Sequence, residues 1–180
     1  MMAAVLTSLL GVVLVVSLPG WWHRSHVFPA VAAGTLCVAI VIAANTSGVG
    51  RTALILCAAL AVITSAAGGG PLTVAILKRS SASTMPRTRE PGRPDPTPAE
   101  DVLRGGAWIG ALERLAVTTA LIAGWPEGIA VVLAVKGLAR YPELRSPGAG
   151  ASERFIIGTF SSVLWAAACA VTVLLLRLPR

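Results

Sequence analysis

Residues 105–165 read GGAWIGALERLAVTTALIAGWPEGIAVVLAVKGLARYPELRSPGAGASERFIIGTFSSVLW. They are apolar enough to lie in hydrocarbon. Yet Glu113, Arg114, Glu127, Lys136, Arg140, Glu143, Glu153 and Arg154 are among them. An ionisable group at the centre of a membrane helix costs about 2.5–3.5 kcal/mol on insertion scales, so each needs a partner or a role. Apolar runs that carry a few such charges are the pattern of a polytopic membrane protein rather than a soluble domain.

The rest of the chain agrees. Hydrophobic residues make up 55%, charged residues 13% and aromatics 5%, with a mean hydropathy of +0.77. A span needs roughly 20 mostly apolar residues, and several such runs follow one another. They are filled by Ala, Val, Leu and Gly, small enough to let helix backbones approach closely. A net charge of +7 would suggest nucleic acid for a soluble chain. Here cytoplasmic Lys and Arg and anionic lipid headgroups account for it, and no nucleic-acid partner is expected. Cys37, Cys57 and Cys169 stand singly in apolar runs, so they read as small buried hydrophobes.

The fold expected is all-α, a transmembrane bundle of about six spans. The first covers residues 2–20, without the basic start and A-x-A site of a secretory signal. Trp21 and Trp22 sit at the interface, followed by His23 and His26, for which no third metal ligand is near. The second span is 27–45, and the third runs from Arg51 to Leu77, interrupted by a kink at Gly68-Gly69-Gly70-Pro71. From Lys78 to Pro96 the composition turns to Pro, Ser, Thr and Arg, the mark of a disordered linker. Thr97-Pro98-Ala99-Glu100 is a capping box opening a fourth helix that ends near Gly124. A short fifth helix occupies 127–141. A polar loop then leads to Ser152, the cap of a sixth that ends near Leu176. The domains expected are an N-terminal three-span half (1–77), the linker (78–96) and a C-terminal three-helix half (97–180).

Placing the linker in the cytoplasm puts Arg24, Lys78, Arg79, Arg87, Arg89, Arg93, Arg104, Arg140, Arg145 and Arg154 on that side. Arg51, Arg177 and Arg180 fall on the other. That asymmetry orients both termini outside if the fifth segment spans; if that segment is re-entrant, the C-terminus is cytoplasmic.

Within the quoted stretch, Glu113 lies 11 residues before Gly124 and Lys136 lies 11 after Trp125. At 1.5 Å per residue both are ~16 Å from the turn, near the midpoint of a ~30 Å core, where they can pair. Lys136, Arg140 and Glu143 share a helical face, and the spacings Gly106-xxx-Gly110 and Gly158-xxx-Ser162 suit close helix packing. The candidate cluster is therefore Glu113, Arg114, Lys136, Arg140, Glu143, Glu153 and Arg154, with Gly106, Gly110, Gly158 and Ser162 as packing positions. Two readings stand: an internal ion-pair cluster that fixes helix register, or a site that handles a proton, ion or charged ligand. No nucleophile elbow, zinc-protease motif or P-loop occurs, so no catalytic residue, metal or cofactor is expected.

The runs ERL (113–115), AVKGLARYPEL (134–144) and ERFIIGTFSS (153–162) resemble the C-terminal half of an uncharacterised family of small bacterial inner-membrane proteins. The family pattern is E-R-L, A-x-K-G-x-A-R-[FY]-x-E-L and E-[RY]-x-I-I-G-T-x-x-S. Glu113, Arg114, Lys136, Arg140, Tyr141, Glu143, Glu153, Gly158, Thr159 and Ser162 occupy it here. The resemblance extends over residues 105–170 and implies a multi-pass bacterial plasma-membrane location, with no activity attached. The expected role is a non-enzymatic scaffold or small subunit in contact with lipid, and with a membrane-protein partner or a second copy of itself. The alternative is a small transporter or channel-like protein.

Overall fold

The computed structural model describes residues 2–21, 27–84, 100–145 and 151–178, and these are helical with short connections. In chain order the helices are α1 (Met2–Ser17), closed by a 3-10 turn (Leu18–Trp21), α2 (Val27–Ala44), α3 (Arg51–Thr84), α4 (Glu100–Ile122), α5 (Gly128–Arg145) and α6 (Ala151–Arg177). Three of them are long and apolar enough to cross a membrane: α2, α3 over Arg51–Ser80, and α6 over Ser152–Arg177.

Helices α1 and α2 bury a narrow stripe at alternating three- and four-residue steps, and α6 buries a broader face. On α1 it is Leu6, Leu10, Val13 and Ser17, and on α2 Pro29, Ala32, Leu36, Ala39 and Ala43. On α6 it is Ser162, Trp165, Ala166, Cys169, Val173 and Leu176. Small residues dominate this interior, while Val12, Val15, Val38, Val41, Ile55, Ile63, Leu112 and Leu164 are exposed. An outside as apolar as the inside is what a lipid solvent permits, because lipid gives no reason to sort apolar residues by face.

Neighbouring helices run alternately. Thr64 Oγ1 donates to Leu10 O at 3.4 Å and Gly68 abuts Ser17, which sets α1 parallel to α3. Gly69 abuts Arg114 and Ser65 Oγ accepts from Thr118 at 2.6 Å, which sets α4 antiparallel to α3. Gly158 of α6 lies against Thr73 and Leu77. The ends of α3 and α5 and the starts of α4 and α6 therefore share one end of the bundle. Lys78, Arg79, Arg140 and Arg154, all exposed, sit there.

The division into two halves does not describe the packing. The most extensive interface joins α3 to α6, one helix from each expected half, and α2 also packs on α6. Only α5 is peripheral: it rests on α4 and touches α6 lightly. Helix α3 continues past Lys78 to Thr84, so the first turns of the expected linker are helical, and residues 85–99 lie outside the described residues. Over 34 residues α3 is ~51 Å long, well beyond a ~30 Å hydrocarbon core. It is also unbroken through Gly68–Pro71. The capping residues Thr97–Ala99 and the histidines at 23 and 26 are likewise outside the described residues. Helix α5 extends through Pro142, where a loop was expected, and α6 starts one residue before Ser152. The α4–α5 turn follows its sequence: Gly124 adopts φ +80°, the left-handed position that ends a helix. Arg177 Nη1 donates to the carbonyl of Ile122, the last residue of α4, a favourable place for a cation.

Candidate functional site

Lys136 Nζ and Glu113 Oε2 form an ion pair between α5 and α4. This is the pairing inferred from their equal distance to the turn. Both side chains are largely buried, at 21% and 16% exposure. Helix α5 has little other packing, so the pair is a substantial part of what joins it to α4.

Arg114, the next residue on α4, turns the other way. It is 3% exposed and reaches into α3. Its Nε donates to Ser65 O at 2.9 Å, its Nη2 to Ala66 O at 2.7 Å, and its Nη1 to Ser162 Oγ of α6 at 3.3 Å. One guanidinium thus ties three helices together, using the several donors that distinguish Arg from Lys. Among the described residues no carboxylate pairs with it.

Arg114 can approach α3 because of the glycines. A Cβ on Gly69 would lie 2.4 Å from Arg114 Cδ and 2.8 Å from Trp165 Cδ1, and one on Gly68 would lie 2.7 Å from Trp165 Cζ2 and 2.8 Å from Ser17 Oγ. Gly68 and Gly69 read in the sequence as a kink, but they form the floor on which Arg114 and Trp165 rest. Two glycines facing a buried Arg would have been the signal, had the α3–α4 register been known. Below this layer, Thr118 Oγ1 donates to Ser65 Oγ at 2.6 Å, with Ala166 O 3.2 Å away.

A cavity of about 10 Å3 lies between α4, α5 and α6, lined by Glu113, Arg114, Lys136, Thr159 and Ser162 with Val117, Val132, Leu133 and Val163. Thr159 Oγ1 is buried there with no hydrogen-bond partner, and Trp165 Nε1 is buried and unpartnered beside α3.

The other expected cluster members are elsewhere. Arg140, Glu153 and Arg154 are exposed, at the basic end of the bundle, and the Glu143 side chain lies outside the described residues. Gly106 has open space around it, and Gly110 faces the Nη1 of Arg114 on its own helix rather than a neighbouring backbone. Gly158 packs as expected of a small residue, since a Cβ there would lie 3.5 Å from Leu77 Cδ1, and Ser162 is buried against Arg114. The buried face of α4 is centred on Arg114, Val117 and Thr118, one step round from the glycine stripe. Cys57 and Cys169 are buried, but Cys37 is exposed. No group of metal-ligating side chains occurs among the described residues.

Comparison of the chain with protein-family models, curated proteins and solved structures returns no match.

Proposed function

We propose that this chain is a non-enzymatic component of a membrane assembly, a scaffold or small subunit with six helices across a bacterial plasma membrane. Its 78–96 segment is cytosolic. One observation carries the reading: each central charged side chain has polar partners within the bundle. Glu113 is paired with Lys136, and Arg114 is bound by Ser65, Ala66 and Ser162. Groups bound in this way fix helix register rather than await a substrate. The cavity beside them, about 10 Å3, is too small for an organic solute. Three helices of spanning length, the exposed apolar side chains and the gathering of Lys78, Arg79, Arg140 and Arg154 at one end support the membrane placement and its orientation. The C-terminal motifs support the bacterial family. The outer face of α5, with Val131, Val135 and Leu138 exposed, is the surface offered to lipid or a partner helix.

A second reading, that the cluster handles a small ion, is favoured by the unpartnered Thr159 Oγ1 beside two cations and one acid. Purification in mild detergent followed by reconstitution separates the two. A stoichiometric partner and inert liposomes support the scaffold, and a lone oligomer that moves ions across liposomes refutes it. Cysteine placed at Ser83 tests the orientation. It should resist an impermeant thiol reagent in intact cells and react after lysis, and labelling in intact cells would invert the topology.

A further inference from the structure

The charges around the α4–α5–α6 cavity do not balance. Arg114 and Lys136 line it together with one acid, Glu113, and that acid is engaged by Lys136. One positive charge remains, on a side chain 3% exposed. The carbonyls of Ser65 and Ala66 solvate the guanidinium, but they bring no net charge. A buried charge without a counter-charge is unfavourable in a low-dielectric interior. Among the described residues, the remaining charged groups of α5 and α6 (Arg140, Glu153, Arg154 and Arg177) are exposed and do not line the cavity.

Thr159 supplies the second observation. Hydroxyls on these helices habitually donate to the carbonyl four residues back, as Thr35 does to Val31, Thr73 to Gly69, Ser161 to Ile157 and Thr172 to Ala168. Thr159 Oγ1 makes no such bond although it is buried at the cavity, so its proton is available to an occupant. Arg114 also retains capacity, since three of its five N–H groups are assigned.

We propose that this cavity binds a small monovalent anion of halide size, held by the Thr159 hydroxyl, the Arg114 guanidinium and the Lys136 ammonium. The proposal deepens the ion-handling reading by naming its ligand, and it also stands if the anion is held permanently as a counter-ion. The volume of about 10 Å3 is close to the minimum for one water-sized occupant. That excludes carboxylates, phosphate and sulfate. A halide is somewhat larger than water, and the lightly packed α5 is the wall that yields. Glu113 competes with the anion for Lys136, so neutralising it should tighten binding.

The test is thermal unfolding of the purified full chain in detergent, with chloride exchanged for gluconate at constant ionic strength. The midpoint should rise with chloride, in proportion to its logarithm once the concentration exceeds Kd. Thr159→Val, nearly the same shape without the hydroxyl, should need about tenfold more chloride, the usual loss for one hydrogen bond to a charged group. Glu113→Gln should need less chloride than the unaltered chain. Should that variant fail to fold, Thr159→Val decides alone. Curves that coincide in chloride and gluconate, or a chloride effect untouched by Thr159→Val, overturn the site and leave the cavity to water. Liposome flux is a separate readout. Saturable binding without chloride flux keeps the site and ends the transport reading, whereas flux of another ion without chloride binding does the reverse.

Discussion

Replacing Gly69 with alanine adds one methyl group to α3, and elsewhere in a helix that change is mild. Alanine is favoured over glycine by about 0.8–1 kcal/mol in a helix interior. At Gly69 the new carbon would lie 2.4 Å from Arg114 Cδ, 2.7 Å from its Nε and 2.8 Å from Trp165 Cδ1. Ordinary contact needs about 3.5–4 Å between carbons, so Arg114 must withdraw by about 1 Å. Its Nε sits 2.9 Å from Ser65 O, and a shift of that size breaks the bond. A hydrogen bond to a charged group contributes about 1.5–3 kcal/mol, and overpacking adds about 1–3 kcal/mol. With the propensity gain subtracted, Gly69→Ala should destabilise by roughly 1.5–5 kcal/mol. Gly34→Ala is the control, because a Cβ there meets nothing within 4 Å. It should be neutral or stabilising by up to about 1 kcal/mol. Denaturant unfolding in mixed micelles, followed by tryptophan fluorescence, measures both. If Gly69→Ala is as stable as Gly34→Ala, Arg114 does not rest on α3 and the α3–α4 register is wrong.

Two further outcomes follow from the same geometry. Arg114→Lys keeps the charge but not the fork that reaches Ser65, Ala66 and Ser162. It should cost roughly 2–3 kcal/mol in the same unfolding assay, and an unchanged transition would reduce Arg114 to a point charge. Of the three thiols, that of Cys37 is exposed but mid-way along α2, where hydrocarbon disfavours the reactive thiolate, so it should react with a membrane-permeant maleimide in the folded protein only slowly. Cys57 and Cys169, both fully buried, should react only after denaturation, and a second label on the folded chain would contradict the α3–α6 packing.

Helix positions and the Glu113–Lys136 contact were legible in the sequence, because both depend on distance along the chain. Apolar runs bounded by Pro, Gly and polar residues mark helices, and two charges equally far from one turn in a hairpin meet. What was not legible depends on which face turns inward. A helix apolar all round gives no periodic signal, and the narrow buried stripe of α4 includes Arg114 and Thr118, which pattern reasoning assigns to no side. Pairing across the chain was hidden for the same reason. Nothing local in Gly68-Gly69 indicates that a residue some 45 positions later will lie on it. The Lys78 boundary was misread because composition changes there before the helix ends. Ser, Lys and Arg continue α3 beyond the apolar run as far as Thr84.

If the interior charges lock the helices in register, Glu113 and Lys136 must be energetically coupled, and a double-mutant cycle measures that coupling. Glu113→Gln or Lys136→Met alone leaves a largely buried charge without its partner, and such losses typically cost about 3–5 kcal/mol. Removing both leaves no orphan. The double variant should therefore recover a large part of the summed loss, with a coupling of at least about 2 kcal/mol. Hydrogen exchange should locate the loosening in each single variant at α5, the peripheral helix. Losses that simply add, with α5 as protected as before, would show that the two residues are uncoupled and that the lock does not exist.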